Sequence, residues 1–94
     1  MKAMMIAAVV AAGVLAAGAA NAQEALAKSS GCLTCHSIDT KKMGPSFKDI
    51  AKKFKGNATA QADLVAKVGG GKGHPAVKAS PDDLNNIMKW VLAQ

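Results

Sequence analysis

Five consecutive residues, Cys32-Leu33-Thr34-Cys35-His36, carry the most specific chemistry in this chain. Two Cys three residues apart share one helical turn. Their sulfurs can therefore bond to one edge of a flat ligand, and the adjoining His can turn its imidazole toward that ligand's centre. A Cys-x-x-Cys-His run reads as covalent haem attachment, with two thioethers and one axial nitrogen on iron. Three other uses of the same residues compete. A thiol–disulfide exchanger belongs to a βαβ context, and no strand pattern precedes the motif. A zinc site wants four N or S ligands. The chain offers two Cys and two His in all, with the paired His spacing missing. A disulfide between Cys32 and Cys35 would close too short a loop to add much stability. One covalent haem c is the expectation.

The elements that must position this motif are helical. About Glu24 to Cys35 reads as a first helix running into the motif, with no strand alternation before or after it. A second starts past Gly44-Pro45. Ser46 suits its N-cap with Asp49 three residues on, and Phe47, Ile50, Ala51 and Phe54 form its apolar face. Gly56-Asn57 ends it. A third spans about Thr59 to Val68, with Leu64, Val65 and Val68 on one side, and Gly69-Gly70-Gly71 stops it. The last is the clearest: Ser80 as N-cap, Pro81 at N1, then Asp82 and Asp83 against the positive helix end. Leu84, Ile87, Met88, Val91 and Leu92 follow on one stripe. The fold class is all-α, about four short helices around something large and flat.

Size makes the same demand. Met1-Lys2, the apolar run from Met4 to Ala20 and the small-x-small end Ala20-Asn21-Ala22 match a secretory leader. Cleavage after Ala22 is expected, giving a leader over 1–22 and one domain over 23–94. The uncleaved alternative, a membrane anchor, would need about 20 strongly apolar residues, and this run is slightly short and rich in Ala and Gly. Removing 22 of the 94 residues leaves 72, with eleven Lys, no Arg and six acids, a net charge of +5. Domains below roughly 70–80 residues generally need a staple. Export to an oxidising compartment also means that two nearby thiols cannot be assumed to stay reduced.

Three blocks of sequence point to a family. They are Gly31-Cys32-Leu33-Thr34-Cys35-His36-Ser37-Ile38-Asp39, Met43-Gly44-Pro45-Ser46-Phe47-Lys48-Asp49-Ile50-Ala51-Lys52-Lys53-Phe54, and Met88-Lys89-Trp90-Val91-Leu92. In order and spacing, Leu26 to Gln94 resembles a small monohaem class I cytochrome c of bacterial periplasms. The resemblance implies thioethers at Cys32 and Cys35 and iron ligation by His36. It implies a crossing of the terminal helices at Gly31 against Trp90, and a Pro45 carbonyl that accepts the proximal imidazole N–H. Pro45 read by itself is simply a helix-starting proline. Phe47, Ile50, Phe54 and Met88 would complete the haem pocket.

One departure stands out. The family's usual sixth ligand is a Met between the third and last helices, and Gly69 to Ser80 contains none. His74 occupies that segment instead. Gly73 and Pro75 would let its backbone approach the iron and hold direction. Other candidates are Met88, better suited to core filling on its apolar stripe, Met43, on the face His36 already holds, and a vacant position. Exchanging a thioether for an imidazole should lower the reduction potential, since Met/His ligation raises it.

With two internal ligands the expected role is a one-electron carrier of the periplasm, and no enzyme. Nine lysines between Lys41 and Lys78 surround the segments expected to frame the haem edge. A basic face of this kind suits acidic redox partners. Lysines can equally serve solubility alone. The competing class is a gas-binding or sensing haem protein with an open or displaceable sixth position. Nucleic acid is not an expected partner, with no Arg and three aromatics in the chain.

Overall fold

The computed structural model describes residues 21–94. All but the last two positions of the expected leader lie outside them. Among the described residues the regular structure is entirely helical. Residues 21–29 are helical (α1), followed by α2 (Cys32–Cys35), α3 (Phe47–Lys53), α4 (Ala60–Gly69) and α5 (Pro81–Leu92).

The first helix does not run unbroken into the Cys pair, as its periodicity suggested. Gly31 has φ +86°, a left-handed conformation, and it separates α1 from α2. Glycine is the residue that reaches this region without a Cβ penalty. The expected crossing of Gly31 against Trp90 is also not what the structure shows. A Cβ built on Gly31 meets nothing within 4 Å, so this glycine answers a backbone demand and not a close approach. The small residue that shares the buried cluster of Trp90 is Ala27, which is fully covered.

Local chemistry sets the other helix starts. The Ser46 hydroxyl accepts a hydrogen bond from the Asp49 amide at 3.1 Å, and the Ser80 hydroxyl accepts one from Asp83 at 3.2 Å. Each satisfies one of the orphan donors at a helix N-terminus. Thr59 precedes α4 without capping its amides. Its hydroxyl donates to the Asp63 carboxylate at 2.9 Å.

The last helix is the spine, because it lies against both α3 and α4 while those two do not touch each other. Two buried clusters result. Ala27, Phe47, Ile87, Trp90 and Val91 form one, and Val68, Leu84 and Met88 form the other. Leu26, Cys32, Leu33, Ile38 and Ile50 pack on the first and Leu64, Val65 and Val77 on the second, each only partly covered. Ala79, just before α5 and partly covered, packs against both clusters.

Candidate functional site

The Cys-x-x-Cys-His motif is positioned by the turn that returns to it. Gly44 N–H donates to Cys35 O at 2.8 Å, Phe47 N–H to Ser37 O at 2.9 Å and Lys48 N–H to Ile38 O at 3.1 Å. The Lys42 ammonium donates to Leu33 O at 3.2 Å. These bonds fasten residues 42–48 along the C-terminal side of α2. Both cysteines are free and half-buried, one helical turn apart. Burial pushes the Cys32 thiol above its ordinary range.

His36 is held on two sides. Its Nδ1 lies 2.6 Å from the Pro45 carbonyl, which can only accept, so Nδ1 carries the proton and Nε2 is the nitrogen left to bind a metal. The Phe47 ring packs beside the imidazole, centroids 5.3 Å apart and planes 25° from parallel. Phe47 in turn meets the edge of Trp90 at 5.4 Å and 75°, a favourable aromatic geometry. Thus α5 supports the His36 imidazole through α3.

Gly44 is a site residue that its place in the sequence did not reveal. A Cβ there would stand 2.8 Å from His36 Nδ1 and 2.9 Å from Nε2, and closer still to Cε1. The Gly-Pro dipeptide signalled a turn, but the imidazole lying over it is a tertiary fact. Gly44→Ala is expected to displace the ring and cost about 1–3 kcal/mol by overpacking. Chemical denaturation, together with a changed ferric absorption spectrum, would register it.

His74 stands on the segment between α4 and α5, half-buried. Its Nδ1 lies 2.7 Å from the Pro75 carbonyl. Its ring is parallel to that of His36 within 2°, with centroids 6.1 Å apart. The structure therefore brings together two histidines 38 positions apart in the sequence. Ile50 and Phe54 are half-buried, and Met88 is buried in the second cluster with Val68 and Leu84. Met43 is 82% exposed, with its sulfur 3.9 Å from Cys35 Sγ.

No family model matches the chain. Cytochrome c-551 of Pseudomonas aeruginosa is 42% identical over 88 residues, covering 85% of this chain and 85% of its own length. The chain belongs to the bacterial class I cytochromes c. Cytochrome c-552 of Nitrosomonas europaea is 34% identical, with 98% of this chain and 97% of its own length covered. In three dimensions the chain is similar to the class 1 cytochrome MtoD of Sideroxydans lithotrophicus ES-1. The TM-score is 0.71 at 34% identity, over 78% of this chain and 92% of that one. As a class I cytochrome c it carries one covalent haem c and transfers electrons. The residues present fit that cofactor: two free thiols on one turn, an imidazole clamped at Nδ1, and apolar surface half-covered around them. The gas-binding alternative is not favoured by these relatives.

Proposed function

We propose that this class I cytochrome c is a low-potential electron carrier whose iron is ligated by His36 and His74. One observation carries the reading: the parallel pair of imidazoles, each with Nδ1 on a proline carbonyl. Metal-bound His generally gives its second ring N–H to such an acceptor, which fixes the tautomer and raises ligand basicity. Two imidazoles binding one metal, each through a bond of about 2 Å with roughly 1.1 Å more to the ring centre, would have centroids about 6 Å apart, and those of His36 and His74 lie 6.1 Å apart. Cys32 and Cys35 hold the cofactor covalently, and Pro45, Phe47 and Gly44 orient His36. When bound, the haem supplies a one-electron couple. The polypeptide supplies the axial donors, keeps water off the apolar faces and presents charge to partners.

Met43 and Met88 are poorly placed as rivals for the sixth position. Met43 lies beside Cys35, and Met88 is packed among Val68 and Leu84. The test compares ferric wild type with His74→Ala by electron paramagnetic resonance. Loss of the low-spin signal in favour of a high-spin one supports the reading. An unchanged low-spin signal overturns it.

The carrier works in the periplasm after cleavage behind Ala22. Among the described residues no helix is long and apolar enough to cross a membrane. Intact mass of the exported protein gives a chain beginning at Gln23 if this holds, and retention of Met1 refutes it. The nine lysines between Lys41 and Lys78 are all exposed, which suits acidic docking surfaces on redox partners. Electron transfer to an acidic protein should slow several-fold between low and physiological salt, as screening shortens the reach of these charges. A rate indifferent to salt would exclude electrostatic docking.

A further inference from the structure

The segment that carries His74 leaves α4 through two backbone reversals. Lys72 N–H donates to Lys67 O at 3.0 Å, and Gly71 N–H donates to Val68 O at 3.4 Å. This pair of bonds is the Schellman ending, which calls for a left-handed residue one place beyond the C-cap Gly70. Gly71 supplies it with φ +65°. Two residues later Gly73 repeats the conformation with φ +71°, and His74 follows directly. Among protein neighbours neither glycine is crowded. A Cβ on Gly71 would stand 3.6 Å from the His74 carbonyl oxygen, and one on Gly73 would stand 3.7 Å from Lys67 Cε. Both positions therefore demand a dihedral rather than a small side chain.

Little else directs the segment. Among the described residues, no backbone–backbone hydrogen bond involves residues 73–79. Val77 packs on the second cluster and Ala79 on both, which fixes the downstream end. His74 places its Nδ1 on its own neighbour, Pro75, so that bond travels with the loop. By contrast, Nδ1 of His36 is held by Pro45, nine positions away.

We propose that Gly71 and Gly73 are positioning residues for the distal ligand. Their left-handed conformations hold the His74 imidazole opposite that of His36 and keep outside donors off that face. The inference rests on iron ligation by His74. A residue with a Cβ pays a penalty in the left-handed region, and that penalty is relieved when the loop relaxes and His74 lets go. Alanine at either position therefore shifts the balance toward the released loop about tenfold. The apparent affinity for a ligand that binds only the released state rises by the same factor.

The ferric holoprotein is titrated with cyanide, which reaches this position only where His74 has left it. Thermal midpoints are measured on the same samples. Gly71→Ala and Gly73→Ala should each bind cyanide about tenfold more tightly than wild type. Gly73→Asn, bulkier but better able to adopt a left-handed φ, should stay within about threefold. Gly56→Ala is the control, because Gly56 has φ +82° on the turn after α3 with nothing within 4 Å of its would-be Cβ. The same backbone penalty there should lower the midpoint and leave cyanide affinity at the wild-type value. Wild-type affinity in both loop alanine variants would overturn the proposal. Tightening in Gly56→Ala, or equal tightening in Gly73→Ala and Gly73→Asn, would overturn it too. Ligation itself is judged on His74→Ala. A ferric spectrum and cyanide affinity identical to wild type there would remove His74 from the iron, and the positioning role with it.

Discussion

Replacing His74 by Met is expected to raise the reduction potential by roughly 0.2 V, a fraction of the ≈ 0.8 V over which axial ligands tune haem proteins. The physical reason is donor strength. An imidazole whose Nδ1–H is hydrogen-bonded to a carbonyl, as His74 is to Pro75, is an electron-rich ligand that favours ferric iron. A thioether is a weaker σ-donor and favours the ferrous state. The backbone at position 74 already brings its side chain opposite His36, so a Met there has a short path to the same coordination site. Cyclic voltammetry of the two proteins checks the shift. A sulfur-to-iron charge-transfer band should appear in the ferric variant and be absent from wild type. A potential unchanged within experimental scatter would mean that residue 74 does not touch the iron.

The second large effect concerns the staple. With Cys32→Ser and Cys35→Ser together, the chain is expected to lose its cooperative thermal transition. Among the described residues, buried apolar side chains form two small clusters, bridged by α5 and by Ala79 just before it. The partly covered side chains along them would be exposed to water without the cofactor. A domain of this size has a stability of only about 5 kcal/mol or slightly more, so losing the central group removes essentially all of it. Binding energy of a group present only in the native state is folding energy. Circular dichroism on heating should show a broad, gradual loss of helix in place of a sharp midpoint. Cys35→Ser alone should leave one thioether and a folded protein, with absorption bands shifted to the red by the vinyl group that remains unsaturated. A double variant that unfolds as sharply as wild type, at a similar temperature, would contradict the idea that the haem completes the core.

Much of this was legible because the relevant physics is local. Ser80-Pro81-Asp82-Asp83 declares a helix start, and α5 begins at Pro81 as that sequence requires. The Ser46 cap follows the same rule. The motif at Cys32 to His36 gathers two thiols and an imidazole within one turn, so its spacing alone pointed to one covalent haem c, the cofactor the relatives carry. The Pro45 carbonyl was anticipated through the family resemblance, and it lies on His36 Nδ1.

What could not be read depends on contacts between distant segments. Nothing in the spacing says that Gly44 lies beneath the His36 ring, or that Phe47 relays the support of Trp90 to the imidazole. Gly31 was expected to permit a helix crossing, and its actual demand is a left-handed φ that no periodicity reports. The division of the core into two clusters is likewise invisible in amphipathic stripes. A stripe records which face is apolar, but not whether protein or cofactor covers it.

The most direct test of ligation from both sides is hyperfine spectroscopy of the ferric protein labelled with ¹⁵N in histidine alone. Two coordinated imidazole nitrogens of similar coupling are the predicted result, with the rhombic low-spin spectrum expected of parallel ring planes. Coupling to a single histidine nitrogen would contradict it, and His74 would then have no place on the iron.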